Sequence, residues 1–116
     1  MAIRIGLWKM RKRLLEKELQ RVISVLKRME IDKAILFGSF ARGTGNRSSD
    51  IDLIIIKETT LPFLKRADDF YASIKPKVAM DILVYTKREY EKMLKENNSF
   101  IKHISKEGRT IYESSK

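Results

Sequence analysis

Cysteine is absent from the 116 residues, which excludes disulfides, thiolate metal sites and cysteine nucleophiles. Histidine occurs once, as His103, with no second histidine and no clustered acids beside it; it reads as a helix-surface residue. No apolar run approaches the roughly 20 residues of a membrane-spanning helix, and the best stretch, Ile51 to Ile56, is interrupted by Asp52. Membrane partners are therefore not expected. The segment Met1 to Trp8 lacks an unbroken apolar core followed by a small-residue cleavage site, so no secretory signal is expected and the cytoplasm is the expected compartment.

What is present is a 43% hydrophobic content, well above that of disordered chains, and enough for one modest core. A single domain over 1–116 is the expectation. The formal charge is +10, with basic residues gathered in Lys9-Met10-Arg11-Lys12-Arg13 and again at Lys65-Arg66, Lys75, Lys77 and Lys87-Arg88. Such a field attracts nucleotides, nucleic acid or an acidic protein without selecting among them. The run from Lys9 to Arg13 reads as an exposed helix face or as a partner-binding surface. Leu7 and Trp8 read equally as core anchors or as an interface patch.

Leu15, Leu19, Val22, Leu26 and Met29 alternate in spacings of four and three, the stripe of an amphipathic helix from about Trp8 to Met29 that should pack on a sheet. Ala34-Ile35-Leu36-Phe37 reads as a buried strand ending at Gly38. Gly38 to Ser49 is rich in glycine and serine and is read as loop, with one helical turn over Ser39 to Arg42. Ile51 to Ile56 reads as a second buried strand, too apolar for an exposed edge. Thr60 is a candidate N-cap with Pro62 in the first turn of a helix carrying Phe63, Ala67, Phe70 and Ile74, which Pro76 ends. Val78 to Tyr85 reads as a third strand. Thr86 and Glu89 have the spacing of a capping box opening a helix to about Lys95, and a last helix spans Ser99 to Lys106 before Gly108. The alternation predicts an α/β (α+β) layer protein, a small sheet flanked by helices.

One stretch carries chemistry. Gly38 permits a tight turn and close backbone approach, and Ser39 adds a hydroxyl at what reads as a helix start, a combination suited to phosphate oxygens. Asp50 and Asp52 are two apart, which on a strand places both carboxylates on one face. Two acids in an apolar strand repel one another and lose hydration, so they need a counter-charge. A magnesium ion supplies it, because it takes carboxylate oxygens together with substrate phosphates. Two such ions, about 3.5 to 4 Å apart, clamp the attacking and leaving oxygens of an in-line displacement. Asp81, a lone carboxylate in Val78-Ala79-Met80-Asp81-Ile82-Leu83-Val84, is the third candidate, as a ligand completing the set of the catalytic ion and, near the acceptor hydroxyl, as a candidate general base. Arg42 reads equally as a triphosphate contact or as a structural partner for an acid such as Asp50. Arg47 reads as a solvated loop residue.

Gly38-Ser39, ten residues, then Asp50-Ile51-Asp52 resembles the signature of the DNA polymerase β-like nucleotidyltransferase superfamily. Ala41-Arg42-Gly43, the form Ser49-Asp50-Ile51-Asp52-Leu53, and Lys106-Glu107-Gly108 ahead of Ile111-Tyr112-Glu113 are similar to its minimal nucleotidyltransferase branch. The resemblance implies a mixed, palm-like sheet flanked by helices, two magnesium ions, and a nucleoside triphosphate, ATP, held by the Gly-Ser turn. It further implies an antitoxin that transfers AMP from ATP to a tyrosine of a separately encoded HEPN-domain ribonuclease toxin. Two other readings stand beside this one: transfer to a small hydroxylated molecule, with a homo-oligomer supplying the missing acceptor surface, and a non-catalytic basic module that binds a toxin or nucleic acid.

Overall fold

The computed structural model describes residues 2–38 and 50–115, without the side chains of 2–6 and of Trp8. The helix expected from Trp8 begins earlier: α1 spans Ala2–Lys27. Then come β1 (Lys33–Phe37), β2 (Ile51–Ile56), a 3-10 turn (Phe63–Lys65), α2 (Asp68–Ile74), β3 (Met80–Tyr85), α3 (Lys87–Lys95), α4 (Ser99–Glu107) and β4 (Arg109–Glu113). The strands form one mixed sheet in the order β3-β2-β1-β4. β1 is antiparallel to β2 and β4, while β2 and β3 run parallel, a pairing that requires a crossover connection; the turn and α2 lie within it.

Side-chain alternation divides the core in two. On one face Leu15, Leu19, Val22 and Leu26 of α1, with Phe70 and Ile74 of α2, pack on Leu36, Ile51, Leu53, Ile55, Ile82 and Val84. On the other, Ile101 and Ile104 of α4 pack on Ile35, Ile54 and Ile56, with Phe37, Leu83 and Tyr85 around them. Being covered on both faces, β2 is buried at all six positions, which is why its sequence is nearly continuous isoleucine and leucine rather than alternating.

Two expectations need correction. Thr60 does not cap a continuous helix: Pro62 is extended at φ −57°, ψ 145°, only the short 3-10 turn follows, and α2 starts at Asp68 without a side-chain cap. The reason is tertiary. The Arg66 guanidinium donates to Leu61 O at 2.8 Å and to Glu89 Oε1 at 2.6 Å, fastening the segment to α3 where a helix would have carried it past. The second correction is β4, a strand the pattern did not announce; it pairs with β1 through a register shift at Ala34/Ile35. The capping box at Thr86 is present as expected, with Glu89 N–H donating to Thr86 Oγ1 at 3.2 Å and Thr86 N–H to Glu89 Oε1 at 2.8 Å. His103 is exposed on α4.

Candidate active site

The end of β1, the start of β2 and the start of β3 meet at one end of the sheet. Phe37 is the register partner of Asp52 across the antiparallel pair, and Asp52 is the register partner of Asp81 across the parallel pair. Register partners on adjacent strands lie about 4.8 Å apart and send their side chains to the same face. Asp52 and Asp81 are therefore neighbours on the face that also carries Ile54, Leu83 and Tyr85. Their environments differ: Asp52 is only 2% exposed, on a strand covered from both sides, whereas Asp81 is exposed on the strand that ends the sheet.

Gly38 follows β1 directly and has φ +80°. A Cβ at this position would overlap the Asp52 carboxylate. Glycine is thus required twice, for the left-handed backbone and for the space that lets Asp52 lie against it. This juxtaposition brings Gly38 and Asp52, one from each motif, into one place.

Asp50 lies in a bend just before β2, so the alternation that would align it with Asp52 does not govern it. Its main chain and side chain both bond to the approach to β3: Asp50 N–H donates to Ala79 O at 2.9 Å, and Ala79 N–H donates to Asp50 Oδ2 at 3.1 Å. Its other oxygen, Oδ1, is ion-paired with the Arg11 guanidinium of α1. The sequence reading missed Arg11, which belongs to the basic run Lys9–Arg13; no local pattern marks a contact 39 residues distant. Ser39 and Arg42 lie outside the described residues, as do Arg47 and the turn expected over Ser39 to Arg42.

Among the described residues no three acids or imidazoles stand close enough together to hold a metal ion. Asp50, Asp52 and Asp81 reach the same end of the sheet, but Asp50 is turned to Arg11 and Ala79. The donor chemistry nonetheless fits magnesium. Two in-register carboxylates, with a third at the entrance of the same strand, offer hard oxygens alone.

The edge of the site is aromatic. Phe37 meets Phe100 of α4 edge to face, with centroids 5.7 Å apart. Elsewhere, Glu18 has a structural role. Glu18 accepts from both Arg21 Nε and Nη2 at 2.8 Å and from Lys77 N–H at 2.8 Å, and the hydrogen bond from Arg21, followed by that from Lys77, holds its carboxyl below the ordinary range against the opposing effect of burial.

A family model described as "Polymerase beta, Nucleotidyltransferase" matches residues 20–116. Two proteins of Methanocaldococcus jannaschii, each named "Putative protein adenylyltransferase", are similar in sequence. One is 32% identical over 102 residues, covering 84% of this chain and 97% of the relative. The other is 46% identical over 50 residues, covering 42% of this chain and 48% of the relative. A solved structure described as "Crystal structure of the toxin-antitoxin with AMP-PNP" shares the fold with a TM-score of 0.54 at 19% identity, over 83% of this chain and 73% of that one.

Proposed function

The chain belongs to the polymerase β-type nucleotidyltransferase family, and from that premise we propose that it transfers AMP from ATP to a tyrosine of a partner HEPN-domain ribonuclease, acting as that toxin's antitoxin. The observation that carries this reading is the meeting of Gly38 with Asp52 beside Asp81 at one end of the sheet. It is supported by the relatives named for protein adenylyl transfer and by the fold shared with a toxin-antitoxin structure holding AMP-PNP.

Asp50, Asp52 and Asp81 would hold magnesium, which neutralises the phosphates and stabilises the charge that develops on them. The chain's own residues divide the remaining work. Gly38 brings the backbone next to Asp52, and a phosphate held there would meet the carboxylates. Asp52, buried and confined between β1 and β3, is the fixed member. Asp81 faces solvent, where an acceptor hydroxyl can approach, and takes its proton as the tyrosine oxygen bonds to the α-phosphorus. The bond from that phosphorus to the β-phosphate oxygen breaks, and pyrophosphate leaves.

A protein acceptor suits the surface near this end. The N-terminal half of α1 presents Leu7, Met10 and Leu14, 59–64% exposed, at helical spacing on one side and amid exposed Lys9, Lys12, Arg13 and Lys17. An apolar stripe with a basic surround fits an acidic protein surface.

Incubation with labelled ATP, magnesium and a co-encoded partner tests the reading. Label is expected on a partner tyrosine with the wild type and not with Asp52→Asn. Equal neutralisation of the partner by wild type and variant, without label, would replace it with the non-catalytic binding module; label on a small hydroxylated molecule alone would replace it with the small-acceptor enzyme.

A further inference from the structure

Arg11 stands ahead of the family match, which begins at residue 20, yet its guanidinium pairs with Asp50 Oδ1 at the entrance to the site. We propose that Arg11 is a nucleotide-responsive residue: it occupies Asp50 while the site is empty of nucleotide, and transfers to the phosphates when a metal-bound triphosphate arrives. The inference rests on the assignment of Asp50 as a metal ligand.

The argument begins with the oxygens of Asp50. Oδ2 is taken by Ala79 N–H, a bond that ties the carboxylate to the approach to β3. Oδ1 makes no main-chain bond of that kind and is the oxygen more open to a cation, and Arg11 holds it. A divalent ion and a guanidinium cannot share that position without repulsion, so they compete for it. The competition is easily won by the ion. The Arg11 side chain is 46% exposed and that of Asp50 20%, and pairs this open to water are weakly held.

Arg11 remains charged throughout, since a guanidinium does not deprotonate in a protein. Once displaced it is still tethered to α1 at the same entrance, and the nearest new anion is the triphosphate that came with the metal. Guanidinium groups bind phosphate oxygens through parallel N–H donors, a geometry a lysine cannot reproduce. The same residue thus opposes metal on its own and favours metal together with nucleotide. That sign difference separates an exchanging residue from one that merely supports the fold.

Isothermal titration of the full chain with manganese chloride alone, and separately with magnesium and AMP-PNP, reads both signs without any activity measurement. Arg11→Gln is expected to bind manganese alone about two- to fivefold more tightly, the worth of an exposed pair removed. It is expected to bind magnesium with AMP-PNP about tenfold more weakly, the loss of a charge-assisted phosphate contact. Arg11→Lys should fall between, recovering charge but not the fork. Unchanged binding of both probes would overturn the inference, as would weakening of both in parallel, which would mean that Arg11 only shapes Asp50. Circular dichroism of each variant verifies the fold. Wild-type protein that bound neither probe would instead sink the nucleotidyl-transfer reading itself; wild-type binding with an unaltered Arg11→Gln sinks this inference alone.

Discussion

Gly38 bears more on the site than any other small residue of the described chain, and its replacement makes a sharp prediction. Gly38→Ala must strain a backbone at φ +80° and push a methyl group into the Asp52 carboxylate. The backbone cost alone is about 1 kcal/mol, so urea unfolding should show at least that loss while nucleotidyl transfer falls to background. Full activity in Gly38→Ala would show that Asp52 has no fixed place against the turn. A second residue-level prediction concerns pH. The hydrogen bond from Arg66, followed by the amide of Thr86, holds the Glu89 carboxyl down to about 2 from its ordinary 4.5. A depressed carboxylate stabilises the fold above its unfolded value, and that contribution is lost as pH falls from about 4.5 toward 2. The Glu89 side chain is 43% exposed, so screening limits the effect to about 1 kcal/mol. Melting temperature followed through this acid range should fall less steeply in Glu89→Gln than in wild type; parallel curves would remove Glu89 from the account.

At the level of elements, the edge strand β3 is closed by a side chain from the crossover. The Tyr71 hydroxyl donates to Met80 O and accepts from Ile82 N–H, each at 3.0 Å, occupying groups that an edge would otherwise offer to another chain. Tyr71→Phe leaves both without that partner and should cost about 1–3 kcal/mol in a denaturant titration, with increased self-association at high concentration. β2 is the opposite case, covered on both faces. Ile54→Ala removes a fully buried side chain from the face shared with Ile35, Ile101 and Ile104, and should cost about 2–5 kcal/mol. Here the sequence was a good guide. Isoleucine at 51 and at 54 to 56 announced a central strand, the α1 stripe from Leu15 to Leu26 announced its buried face, and Thr86 with Glu89 announced a cap. All three are local patterns. The helix expected from Thr60 failed because Arg66, Leu61 and Glu89 are joined across 23 residues, and β4 went unread because a short strand of half-exposed residues has no strong period.

Over the whole molecule, the charge of +10 should draw acidic partners and nucleotides from a distance. Partner association measured by stopped flow is therefore expected to slow as salt is raised, with dissociation changing little; a salt-independent association rate would deny the basic surface a steering role. The sequence by itself determined the layered architecture and displayed the Gly-Ser and Asp-x-Asp motif with Asp81 as a candidate third acid, because hydrophobic period and residue spacing are written locally along the chain. Tertiary structure decided what those residues meet. The register of β1, β2 and β3 brought Gly38 against Asp52 and set Asp52 beside Asp81, and the length of α1 delivered Arg11 to Asp50. Such pairings arise from how strands align and helices cross, and a contact between distant residues leaves no mark on the spacing of either one.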